Sequence, residues 1–89
     1  MDVRIYPNPI STVSTIEFFL RKPEITDVAI YNSQGQHVKT LLNERASAGI
    51  NTIYWDGVDD GGKAAVAGLY FVRISSETMT NSTKIVLLE

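Results

Sequence analysis

Apolar and polar residues alternate along the chain with a period near two, in short runs separated by turn signals at spacings of roughly 8–12 residues. Val3-Arg4-Ile5-Tyr6 is the first run, closed by Pro7-Asn8-Pro9, whose prolines cannot donate to a continuing ladder. Ser14 to Leu20 follows, with Ile16, Phe18 and Leu20 on one face, and Arg21-Lys22-Pro23-Glu24 ends it. Asp27 to Tyr31 is the third run. The turn Asn32-Ser33-Gln34-Gly35 after it places glycine where positive φ is needed. The fourth run, His37 to Leu42, leaves into a polar stretch over 43–49. Thr40 to Ala48 is the one place where a helical turn could form, but its apolar spacing is poor and it reads as loop. Ile50 to Trp55, Leu69 to Ile74 and Thr83 to Leu88 complete the set, the last reached through a polar link from Ser75 to Ser82.

Seven short strands without a convincing helix predict an all-β fold, a seven-stranded antiparallel immunoglobulin-like β-sandwich, with residues 2–89 as one domain. Neighbouring strand residues point to opposite faces, so Tyr54 and Trp55 separate. Trp55 shares its face with Ile53 and reads as core; Tyr70 is likewise placed to fill the core between the sheets. Pro7 and Pro9 remove two donors and set φ, which obliges the chain to leave one sheet edge for the other.

Composition narrows the classes. Among 89 residues, 44% are hydrophobic and 20% charged, with a formal net charge of −2. Disorder needs less hydrophobicity and more net charge, and a nucleic-acid surface needs clustered Lys and Arg. Ile85-Val86-Leu87-Leu88, the most apolar stretch, is far too short to span a bilayer, so no transmembrane segment is expected. No amino-terminal export signal is read, and Met1 before Asp2 looks like a start added to an excised piece. Cysteine is absent, which excludes disulfides and thiolate metal sites.

Candidate chemistry is sparse. The only histidine, His37, follows a turn and is expected to face solvent; no nucleophile elbow accompanies it, and no catalytic residue is assigned. Asp56-Gly57-Val58-Asp59-Asp60-Gly61-Gly62 offers three carboxylates that could hold calcium. An EF-hand register fails at Val58 and Ala67, and the preferred reading is a tight turn with no metal or cofactor. Tyr6, Tyr31, Tyr54, Trp55 and Tyr70 could stack sugars, yet alternation shows no aromatic row on one face, so core or rim packing is preferred. Asn81-Ser82-Thr83 matches a glycosylation acceptor pattern, a tripeptide that arises often by chance in polar links.

Several motifs carry a family resemblance. Tyr6-Pro7-Asn8-Pro9 with Ile16 to Leu20, Val28 to Val38 around Gly35, Gly49 to Gly57 with its Trp55-Asp56-Gly57, Gly68-Leu69-Tyr70-Phe71 and the closing Thr83-Lys84-Ile85-Val86-Leu87 occur in one order. Together they resemble the type A C-terminal sorting domain of the type IX secretion system. The Trp-Asp-Gly and Gly-x-Tyr half is shared with the Ig-like domain of the flagellar hook-capping protein FlgD. The resemblance implies a non-catalytic module that directs a secreted protein across the outer membrane to the cell surface. Its partners would be the outer-membrane secretion machinery and a surface peptidase cutting ahead of Asp2. Lys84, Ile85, Val86, Leu87 and Leu88 would be the recognition strand, presenting an edge for pairing. One departure is acidic Glu89, where such domains commonly finish basic or apolar. The alternatives are an accessory module that binds surface glycans or spaces domains, and a hook-cap-like assembly domain that self-associates.

Overall fold

The computed structural model describes residues 3–10 and 12–88. Met1, Asp2 and Glu89 lie outside the described residues, and with them the expected cleavage point and the acidic last position. Seven strands run in order: β1 (Val3–Tyr6), β2 (Ser14–Leu20), β3 (Glu24–Asn32), β4 (His37–Ala46), β5 (Gly49–Trp55), β6 (Gly68–Ser76) and β7 (Thr80–Leu87). No helix occurs among the described residues. One antiparallel sheet has the order β1-β2-β5 and the other β4-β3-β6-β7.

Alternation decides which side chains meet. Ile16, Phe18 and Leu20 from β2 and Trp55 from β5 join Val28 and Ile30 from β3, Tyr70, Val72 and Ile74 from β6, and Ile85 and Leu87 from β7 in one buried cluster. Without a disulfide, the burial of this cluster supplies the main stabilising term. Trp55 is fully buried, its ring edge-on to Tyr70 at 5.5 Å between centroids. Its indole Nε1 donates to Val58 O at 2.9 Å, which satisfies the one polar atom the burial would strand. The Tyr70 hydroxyl donates to Val66 O at 2.6 Å, and burial pushes its phenol above the usual 10.0.

Three boundaries differ from the sequence reading. β4 does not end at Leu42 but continues to Ala46 through the stretch read as loop. Its pairing with β3 slips between Val28 and Ala29 and again between Ile30 and Tyr31, which leaves Leu41 and Val38 as extra residues on β4. Each bulge resets the two-residue period, which is why the apolar spacing of this stretch is poor. The polar link over 75–82 is mostly strand, paired through Ser75↔Thr80 to Val72↔Thr83. Only residues 77–79 turn, because strand residues at a hairpin end need no apolar side chain. Glu24, assigned to a turn, instead opens β3 opposite Ala46 and is buried.

Candidate functional site

The recognition strand expected at Lys84–Leu88 lies at the outer edge of the four-stranded sheet. Ile85 and Leu87 point into the core, so Lys84, Val86 and Leu88 alone offer side chains to solvent. Its edge is not open for pairing, contrary to expectation. After Tyr6 the chain leaves the smaller sheet through Pro7-Asn8-Pro9, both X–Pro bonds being cis, and lays Ile10 parallel beside Leu87. Ile10 N donates to Val86 O at 2.8 Å, and Leu88 N donates to Ile10 O at 2.6 Å. The Asn8 side chain completes the strap: its Oδ1 accepts from Val86 N at 3.0 Å, and its Nδ2 donates to Lys84 O at 3.3 Å. An amide is the side chain that can answer an N–H and a C=O at once. Ile10 is itself fully buried and anchors the strap in the core. By the alternation of an antiparallel ladder, the outward backbone groups of Thr80 and Ser82 remain beyond the strap's reach.

The opposite edge, β4, is covered by the loop that follows Trp55. Asp60 N donates to Val38 O at 3.0 Å, and Asp60 Oδ1 accepts from Thr40 N at 3.2 Å. The loop holds its own shape through Asp59, whose Oδ1 accepts from Gly61 N and Lys63 N at 2.9 Å each. Gly57 has φ +77°, and a Cβ there would stand 3.5 Å from Leu87 Cδ1; only glycine adopts this conformation without strain. Asp56 Oδ1 accepts from Val58 N at 3.3 Å. The three carboxylates thus serve separate backbone amides, the pattern of an Asp-rich turn. Among the described residues no group of three or more acidic or imidazole side chains converges as a metal site would require.

His37 sits half-exposed beside this loop. Its Nδ1 is 3.6 Å from Asp60 Oδ2, and its Nε2 is 2.8 Å from Thr40 Oγ1. The order carboxylate, imidazole, hydroxyl is that of a nucleophile relay. The amides that could stabilise an oxyanion beside it, Thr40 N, Gly61 N and Gly62 N, are all bonded already.

Glu24 is 2% exposed and pins the β6–β7 turn. Its Oε1 accepts from Thr78 N at 3.1 Å, and the Thr78 hydroxyl lies 2.9 Å from Oε2. Burial by itself would raise the carboxyl pKa, but the hydrogen bonds from Thr78, together with the nearby Ser76 hydroxyl and Lys22, outweigh it and hold the group below the usual 4.5.

The aromatics divide between three environments. Trp55 and Tyr70 are core. Tyr54 and Tyr6 face outward on the smaller sheet, in one register row with Thr15 between them. Tyr6 gives its hydroxyl to Glu17 at 2.7 Å while Arg4 lies over its ring; the hydrogen bond to Glu17 raises its pKa. Tyr31 faces outward on the larger sheet, edge-on to His37. Sequence reasoning found neither Asn8 as a strap nor Glu24 as a pin, since each acts on residues 54 to 78 positions away.

Residues 11–80 match the family model described as the FlgD Ig-like domain. No curated protein sequence matches the chain. Among solved structures, dimeric latent PorU from Porphyromonas gingivalis resembles it with a TM-score of 0.79 at 22% identity. PorZ of Porphyromonas gingivalis, an essential bacterial surface component of the type IX secretion system, resembles it with a TM-score of 0.67 at 17% identity. Each likeness covers 98% of this chain but only 9% of PorU and 11% of PorZ, so what is shared is the fold of one small part of each.

Proposed function

The chain belongs to the family of FlgD Ig-like domains, and from that premise we propose that it is a non-catalytic sorting module of the type IX secretion system, carried by a longer exported protein. Its two sheets, which share one buried cluster, are read as the face-to-face layers of an immunoglobulin-like sandwich.

The observation that carries this reading is the strap. By the resemblance, the Pro-Asn-Pro element and the closing Lys-apolar strand tilt the reading towards a sorting domain within the wider family, and Asn8 bonds one directly to the other. The likeness to PorZ, a surface component of this secretion system, supports the same direction. With the edge at Val86 occupied, recognition of the folded domain runs through the outward side chains Lys84, Val86 and Leu88 rather than through strand addition. The secretion machinery and its surface peptidase are the proposed partners, and the cell surface the proposed destination.

The test is export. A fluorescent reporter with a periplasmic signal is fused ahead of the chain in a bacterium with a type IX system, beside a strain lacking the secretion pore. Pore-dependent surface fluorescence, diminished by K84E/V86S in a domain that still folds, is the expected result. Reporter held in the periplasm of both strains would overturn the assignment.

A further inference from the structure

The outer face of the four-stranded sheet carries residues that neither the core nor the strap uses. Register aligns His37, Tyr31, Phe71 and Lys84 in one row across all four strands. The next row is Thr40, Ala29, Arg73 and Ser82. Tyr31 and Phe71 are therefore a directly opposed aromatic pair, flanked by Lys84 in the same row and by Arg73 beside Phe71. A shallow cavity of about 340 Å³ lies on this face, lined by Tyr31, Asn32, Ser33, Phe71, Arg73 and Ser82.

The chain is net negative, yet two cations, Arg73 and Lys84, stand on this face, with Asp27 in the row beyond Arg73. Among the described residues neither Arg73 nor Lys84 forms a salt bridge. Asp60 is engaged by Thr40 N and lies against His37. Asp27 stands one row further along, opposite Ser75 and Asn43. We propose that this face is a binding site for an acidic saccharide, a sugar chain bearing carboxylates. The C–H-rich face of a sugar ring packs on the negative π-faces of Tyr31 and Phe71. The Arg73 guanidinium matches a carboxylate with its fork of donors, and Lys84 adds a second positive charge. Exposed hydroxyls of Ser33 and Ser82 meet sugar hydroxyls. A peptide fits less well, because the backbone groups beneath this face are spent within the sheet and offer no main-chain pairing. Lys84 is shared with the proposed recognition strand, whereas Tyr31, Phe71 and Arg73 are not, so the test rests on those three.

The test titrates the isotope-labelled 89-residue chain with oligogalacturonate and with its methyl-esterified, uncharged form. Amide shifts confined to Tyr31, Phe71, Arg73 and Ser82, with the ester weaker by about tenfold, are expected from loss of a charge-assisted pair. Arg73→Gln removes most of that preference, leaving the part due to Lys84, and leaves ester binding unchanged; Arg73→Lys retains more of it, and Phe71→Ser weakens both ligands. Tyr54→Ala, on the other sheet, changes neither. Equal binding of acid and ester, shifts centred on Tyr6 and Tyr54, or an aspartate-rich peptide or a nucleotide binding more tightly than the sugar would each overturn the proposal.

Discussion

The two outer strands of the larger sheet face the same hazard, since an exposed row of N–H and C=O groups invites another chain to pair. They meet it differently. β4 carries two bulges and is then touched by Asp60, through one main-chain donor and one carboxylate acceptor. β7 pairs with β6 without any slip over eight residues. Its regular edge is covered by a strap with its own buried anchor, Ile10, and an amide that both donates and accepts. An irregular edge needs only a light cover; a regular one needs a substitute strand.

The strongest perturbation should damage both edges together. Trp55→Ala removes the largest core side chain and the Nε1 bond that positions the Asp60 loop. It should cost about 3–5 kcal/mol, read by denaturant unfolding. That approaches the whole stability of a small domain; a melting point within a degree or two of the parent would show that Trp55 is not core.

Ile10→Ala should separate the edges. It empties a fully buried site and should cost about 2–5 kcal/mol. Hydrogen exchange should quicken at Val86 and Leu88 more than at Thr40. Uniform quickening would mean that the strap is not a separate cover for β7.

The amide and carboxylate covers can then be compared head to head. Asn8→Ala removes two hydrogen bonds and should cost about 1 kcal/mol. Asp60→Ala removes one exposed acceptor and should cost no more than a few tenths of a kcal/mol. A larger loss from Asp60 would reverse the ranking of the two edges.

The smallest effect at the neutral end of a pH series concerns the turn leading into β7. Glu24 has a folded pKa below its unfolded value, so the stability it contributes is fully present above about 4.5 and is lost as pH falls through the lower folded value. Unfolding midpoints should therefore drop on acidification below the usual carboxylate range, and Glu24→Gln should flatten that limb. A limb unchanged by the substitution would assign the acid loss to other carboxylates.

Legibility followed the range of the interaction. β1 and β2 fall where alternation put them, because a half-buried strand writes its own period into the sequence. The second half of β4 was lost to two bulges, whose extra residues break the period without changing any propensity. Tyr54 and Trp55 separated correctly on parity alone. The aromatic pair of Tyr31 and Phe71 did not emerge, because a row across strands is a product of register, and the two residues lie far apart in the chain.

The sequence by itself determined what local chemistry dictates: an all-β chain, its inward-facing residues, and the turns marked by Gly, Pro and Asp. Tertiary structure alone decided that Asn8 closes the edge at Val86, that Glu24 is buried under Thr78, and that Phe71, Arg73 and Lys84 share one face. Hydrogen bonds between residues 54 or 78 positions apart, and contacts set by sheet order, follow from which strands become neighbours. That choice is made by the collective burial of the core rather than by any local run of residues.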